Sequence, residues 1–102
     1  MTHSVRVHPD AKAELRAACD YYRAIDPDLA RRLVAQTAAA VRYLREFPQA
    51  SPVLFEDYRH VVLPQFPYML IYAVTGRVVS VVAILHVRRD PAWIQHQVVD
   101  RV

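Results

Sequence analysis

One glycine, one cysteine and one lysine are all that these 102 residues contain of those types: Gly76, Cys19 and Lys12. A loop that cradles phosphate needs several glycines to let the backbone approach the anion, so a nucleotide cofactor held that way is not expected. A lone cysteine has no partner for an intrachain disulfide and no second thiolate for a metal site, which suits a reducing cytoplasm. The five histidines are scattered, and His8 with Asp10 is too small a set to hold an ion, so no metal is expected either. Long apolar runs are missing too: no stretch approaches the roughly 20 residues of a membrane span. The opening MTHSVRVHPD lacks the basic, then apolar, then small-residue order of a secretory signal. The expectation is a cytoplasmic protein with no membrane partner.

What is present fits one compact α+β domain covering residues 1–102, because a chain this short builds a single core. Hydrophobic residues make up 54% and charged residues 23%. Formal charge is +3, yet of the 13 basic residues all but Lys12 are arginine. Arginine's planar fork grips carboxylates and phosphates with two prongs, so such a surface fits an acidic protein partner or nucleic acid. A GC-rich genome would give the same bias.

Ser4 to His8 reads as a short first strand leading into a helix that starts at Pro9 and runs to about Ala24. Its face is Leu15, Ala18, Cys19 and Tyr22, at steps of three and four. Cys19 is then a small core residue, and Tyr21 seals the helix pair. Asp26 caps a second helix, Pro27 opens it, and it continues to about Phe47 with Leu29, Leu33, Ala40, Val41 and Leu44 buried before Pro48 stops it. Two helices with almost no loop must fold back on each other. After a loop at Gln49 to Pro52 the composition turns to Val, Ile and Tyr. Arg59 to Leu63, Tyr68 to Val74 and Val78 to Val87 are strand candidates, the last two joined by a hairpin at Thr75-Gly76-Arg77. Val78 to His86 is almost wholly apolar, which predicts a strand buried on both faces at the centre of the sheet. Tyr68 and Tyr72 lie four apart and share the face packed on the helices. Ala92 to Val98 is a last helical turn or an extended tail.

Three segments carry a resemblance that covers most of the chain: Arg59-His60-Val61-Val62-Leu63, then Phe66-Pro67-Tyr68-Met69-Leu70-Ile71-Tyr72, then Ala83 through Pro91 with Trp93. Together they resemble the RelE/ParE toxins of bacterial type II toxin-antitoxin systems. The resemblance implies a helix hairpin packed on a small antiparallel sheet of three to four strands, and a cognate antitoxin as partner. It implies contact with DNA only through that antitoxin. RelE-like members cut messenger RNA on the ribosome; ParE-like members poison DNA gyrase. RelE-like chains place a catalytic Arg directly after the Tyr of the Phe-Pro-Tyr segment, and here Met69 stands there. Many also end in a catalytic Tyr, and this chain has none after Tyr72. The ParE-like branch is therefore expected, a binding-type inhibitor and not an enzyme. The alternatives are a ribosome-dependent endoribonuclease, or an inactive toxin that keeps only antitoxin binding.

Were the chain a nuclease, His86 would exchange protons, as histidine does near neutral pH, while Arg88 and Arg59 held the phosphate. The plainer reading of His86 is a strand-end imidazole bonded to backbone or to Asp90. For a binding-type toxin the candidate contacts are Arg59, Arg88, Arg89 and Trp93. One of the paired arginines is expected to bond Asp90, and Arg59 has Glu56 and Asp57 nearby for a local ion pair.

Overall fold

In a computed structural model the chain, described from residue 2 to residue 101, forms eight elements. They are β1 (Ser4–Val7), α1 (Pro9–Ile25), α2 (Pro27–Glu46), β2 (Val53–Phe55), β3 (Tyr58–Val62), β4 (Tyr68–Thr75), β5 (Val78–His86) and α3 (Pro91–Val98). None of the described helices is long and apolar enough to cross a membrane.

Both long helices start on a proline, whose missing N–H costs nothing in the first turn, and each has a capping side chain before it. His8 Nδ1 accepts the Asp10 N–H at 3.0 Å, and Asp26 Oδ1 accepts the Asp28 N–H at 2.9 Å. Asp26 also ends α1: it sits in extended backbone and donates its own N–H to Tyr22 O at 2.8 Å. One residue thus terminates α1 and caps α2, which is why the hairpin has no loop.

The strands lie in the order β1-β5-β4-β3-β2. From β2 to β5 the chain meanders, each strand antiparallel to the last, until β5 meets β1 in parallel register, Ser4 beside Val78 and Val7 beside Val81. The expected antiparallel sheet of three to four strands is therefore corrected to a mixed sheet of five. The additional strand is β2, only three residues long. A parallel pair needs a long connection, and the chain between β1 and β5, through the helix hairpin and the meander, supplies one. β5 is flanked on both sides, as its apolar run suggests, while the middle place belongs to β4.

Apolar side chains cover both faces of the sheet. On one face Ala18, Cys19, Leu33 and Leu44 of the hairpin pack on Leu70, Tyr72, Val79 and Val81; Tyr68 and Tyr72 both point this way. On the other, α3 sets Ile94 and Val98 against Met69, Ile71, Val82, Ala83 and Leu85. Val82 and Ala83 are neighbours yet share this face, because the β4 to β5 register shifts between Ile71 and Tyr72. That bulge re-aims every residue of β5 beyond it. Residues 91–98, left open between helix and tail by the sequence, are the helix that closes this second layer.

Candidate functional site

Three surfaces carry the side chains that could meet a partner. The first is a groove of about 510 Å3 between α1 and α2, floored by Leu70, Val81 and Ile84. Its walls include Leu15 and Val41, and Val34 stands 49% exposed above it. Lys12, Arg16 and Arg23 reach its margin, all from α1. Such a groove offers an apolar slot with a cationic rim. Cys19 lies in the same wall, its thiol pushed up by burial first, with Arg23 opposing and Asp20 adding, so it is a packing group and not a nucleophile.

The second surface is the α3 side of the sheet. Met69 is 4% exposed and packs with Ile94 and Leu85. A cleft of about 250 Å3 opens beside it between Leu54, Phe55, Pro91 and Gln95. His60 lines the cleft with its Nδ1 buried and without a hydrogen-bond partner. A thioether here neither clamps phosphate nor moves a proton.

The third surface is the end of β5. The strand stops at His86, and His86 Nδ1 accepts the Arg88 N–H at 3.1 Å. The imidazole is thus bonded to backbone and not to Asp90, and its proton resides on Nε2. Asp90 is the N-cap of α3, with Oδ2 accepting the Trp93 N–H at 3.1 Å, and the expected pairing of Arg88 or Arg89 with Asp90 does not form. Arg89 lies instead over the Trp93 ring, 4.7 Å from its centroid. The Tyr68 ring meets His86 edge-on at 5.4 Å, and Tyr22 links Tyr68 to Tyr21 and Phe66. Tyr21, expected to seal the hairpin, is 64% exposed.

Arg59 does not join this group. It stands opposite Tyr72, whereas His86 stands opposite Tyr68, and four residues along β4 separate them by about 13 Å. Its guanidinium donates to Ser51 O at 2.7 Å and Gln49 O at 3.3 Å, which braces the loop after α2; no ion pair with Glu56 or Asp57 forms. The structure therefore gathers His86, Arg88, Arg89 and Trp93 at one end of the sheet and leaves Arg59 at the other. Among the described residues no three His, Cys, Asp or Glu side chains come together as a metal-holding group.

Sequence reasoning missed Arg101. Only 8% exposed, it donates Nη1 to both Glu14 carboxylate oxygens at 2.9 Å and to Val82 O at 3.2 Å, and its Nε lies 3.5 Å from Asp10. Glu14 Oε1 in turn accepts the Ile84 N–H at 3.1 Å. β1 ends opposite Val81, so these two side chains occupy the edge of β5 where a neighbouring strand would otherwise bond.

Comparison with known proteins agrees with this architecture. A solved structure described as the chromosomal ParDE TA system from P. aeruginosa superposes with a TM-score of 0.73 over 83% of this chain and 96% of that one, at 22% identity. The chain therefore shares the fold of that solved chain. The model of the "ParE toxin of type II toxin-antitoxin system, parDE" matches residues 5–91, and the chain belongs to that family. Toxin ParE2 of Mycobacterium tuberculosis (strain H37Rv) is 30% identical over 102 residues, 99% of this chain and 97% of the relative. A putative toxin of Sinorhizobium fredii, Y4kP, is 33% identical over 71 residues, 69% of this chain and 73% of that one.

Proposed function

We propose that this ParE-family toxin arrests growth in the cytoplasm by binding and poisoning DNA gyrase, and that a cognate antitoxin holds it inactive. The observation that carries the choice of branch is Met69. At the position where RelE-like chains carry a catalytic Arg, the side chain is apolar, 4% exposed and covered by α3. The cationic set of the nuclease reading is also split, with Arg59 engaged at the far end of the sheet. What remains is a contact surface: Arg88 and Arg89 project from the turn between β5 and α3 and Trp93 from the first turn of α3, and Trp and Arg are among the side chains that most often anchor interfaces.

The antitoxin segment is an amphipathic helix with an acidic polar face, lying in the groove between α1 and α2. The apolar floor takes its hydrophobic stripe, and Lys12, Arg16 and Arg23 meet its carboxylates. DNA is reached only through the antitoxin.

The test uses gyrase from the chain's own host. Purified toxin should inhibit supercoiling and trap cleaved DNA, and cells expressing it without antitoxin should induce DNA repair while their transcripts stay intact. Transcripts cut inside translated codons would establish the nuclease reading instead. Normal growth with retained antitoxin binding would mean that only the fold and its partner survive.

A further inference from the structure

Beside the end of β5 a surface pocket of about 260 Å3 opens, lined by Ala17, Ala18, Tyr21, Tyr68, His86 and Arg89. Its volume falls below the ~300–1,000 Å3 of sites that enclose a drug-sized ligand, so it suits a single head group. Its polar lining consists mainly of donors. His86 keeps Nδ1 occupied by the Arg88 N–H, which leaves Nε2–H as the hydrogen it can offer. Tyr21 and Tyr68 carry hydroxyls. Burial first, then Tyr22 and Tyr21, raises the Tyr68 phenol above its ordinary range against the opposing pull of Arg89, so it stays protonated.

Charge points the same way. Among the described residues neither Arg88 nor Arg89 has a carboxylate within 4 Å, and Asp90 is committed to capping α3. The one acid in the lining, Glu14, is neutralised by Arg101 and by the Ile84 N–H. Arg89 is held in place by the Trp93 ring. A cation without a counter-ion, an oriented imidazole N–H and phenol donors around one small pocket make an arrangement that an oxyanion completes.

We propose that this pocket binds a phosphoryl group, held by Arg89, His86 Nε2–H and the hydroxyls of Tyr68 and Tyr21. A dianionic phosphate monoester fits better than a carboxylate, because it presents enough acceptor oxygens for donors on several sides. The exposed ring of Tyr21 beside the mouth gives a flat apolar face for a base, so a nucleotide's terminal phosphate is the natural source. The pocket shares Arg89 with the contact surface proposed above.

The experiment is an NMR titration of the isolated full chain with inorganic phosphate and, separately, with adenosine 5′-monophosphate, following the Arg88 amide and the His86 ring. Both resonances should shift and saturate. Tighter binding of the nucleotide marks a nucleotide source, and equal binding of the two marks free phosphate. Arg89→Gln and His86→Asn should each weaken binding about tenfold or more, the loss of one charge-assisted hydrogen bond. Asn keeps an acceptor for the Arg88 N–H while removing Nε2–H, so the turn survives, and unchanged thermal unfolding checks this. Arg45→Gln, on α2 away from the pocket, should leave binding unaltered. Absence of saturable shifts with both probes overturns the proposal, as does an equal loss in Arg45→Gln, which would mean diffuse attraction to a basic surface.

Discussion

Arg101 and Glu14, 87 residues apart in sequence, meet through a guanidinium nitrogen 2.9 Å from each carboxylate oxygen. Between them they take the Val82 carbonyl and the Ile84 N–H, so the pair substitutes for a strand on the open edge of β5. Removing Arg101 leaves the half-buried Glu14 carboxylate without its cation and the Val82 carbonyl without its side-chain donor. Arg101→Ala should cost about 3 kcal/mol of stability in urea unfolding. Amide exchange at Ile84 should accelerate in the same variant, and Glu14→Ala, which removes the acceptor of the Ile84 N–H, should reproduce that acceleration. If Ile84 remains as protected as before, the pair is not what closes the edge.

Two hairpin turns in the sheet share one backbone pattern with different residues. Phe55 pairs with Tyr58 and Thr75 with Val78, so each turn has two central residues. In both, the first central residue has positive φ: 47° at Glu56 and 60° at Gly76. Positive φ at the first position but not the second is the type II′ pattern, which favours glycine there. Glu56→Gly should raise stability by roughly 0.5–1 kcal/mol, the relief of the left-handed backbone exceeding glycine's added chain entropy. Gly76→Ala should do the reverse: a Cβ there meets nothing within 4 Å, so only backbone strain of about 1 kcal/mol opposes it. Thermal melts of the two variants should move in opposite directions.

Periodic patterns made the two long helices and the hairpin at Gly76 legible, because each runs for several turns or two strands, whereas the eight residues of α3 were too few to decide between helix and tail. β2 escaped notice because three residues are too few for alternation to show, and its pairing with β3 is irregular. The parallel contact of β1 with β5 has no local signal at all: a four-residue strand says nothing of its neighbour. Met69 could be singled out by position, and its burial beneath α3 agrees with its apolar chemistry. Arg101 could not, since nothing distinguishes it among so many arginines until the fold brings Glu14 beside it. The expected roles of Arg59 and Asp90 went astray for a related reason. Short spacing in sequence suggested ion pairs, whereas unsatisfied backbone groups nearby, the Ser51 carbonyl and the Trp93 N–H, claimed those side chains first.

Tyr72 ties the sheet to the end of α2. It is fully buried, and its hydroxyl donates to Pro48 O at 2.7 Å. Burial is the main cause that raises its ionisation above the ordinary range; Ser51 and Arg59 oppose the rise, and Tyr43 adds to it. Tyr58 and Tyr68 are raised as well, again chiefly by burial. As pH climbs past about 10, phenols of the unfolded chain lose protons first, so the unfolded state binds fewer protons and stability falls. The contribution is complete below that pH and disappears as pH rises through the folded values. Tyr72→Phe should therefore show a shallower alkaline loss of stability. At neutral pH the same variant should cost about 1–2 kcal/mol, because the Pro48 carbonyl loses its donor. An alkaline profile with unchanged slope would show that Tyr72 does not ionise in step with unfolding.

Val34 offers the sharpest test of the groove between α1 and α2. It is 49% exposed although apolar, and it stands on α2 facing the cationic margin that α1 supplies. A substitution there touches little of the core, so stability should change by no more than about 0.5 kcal/mol. Val34→Glu nevertheless places a carboxylate where the antitoxin's apolar stripe would lie and sets it against an acidic partner. Binding of the antitoxin segment, measured by calorimetry, should weaken by roughly ten- to a hundredfold, consistent with loss of a hot-spot contact. Val34→Arg is the informative companion. It disrupts the apolar stripe equally but adds a charge of the favourable sign, so its loss should be smaller and should grow as salt screens that charge. Equal losses in both variants would mean that the groove recognises its partner by shape alone. Unchanged affinity in both would place the antitoxin elsewhere on the toxin.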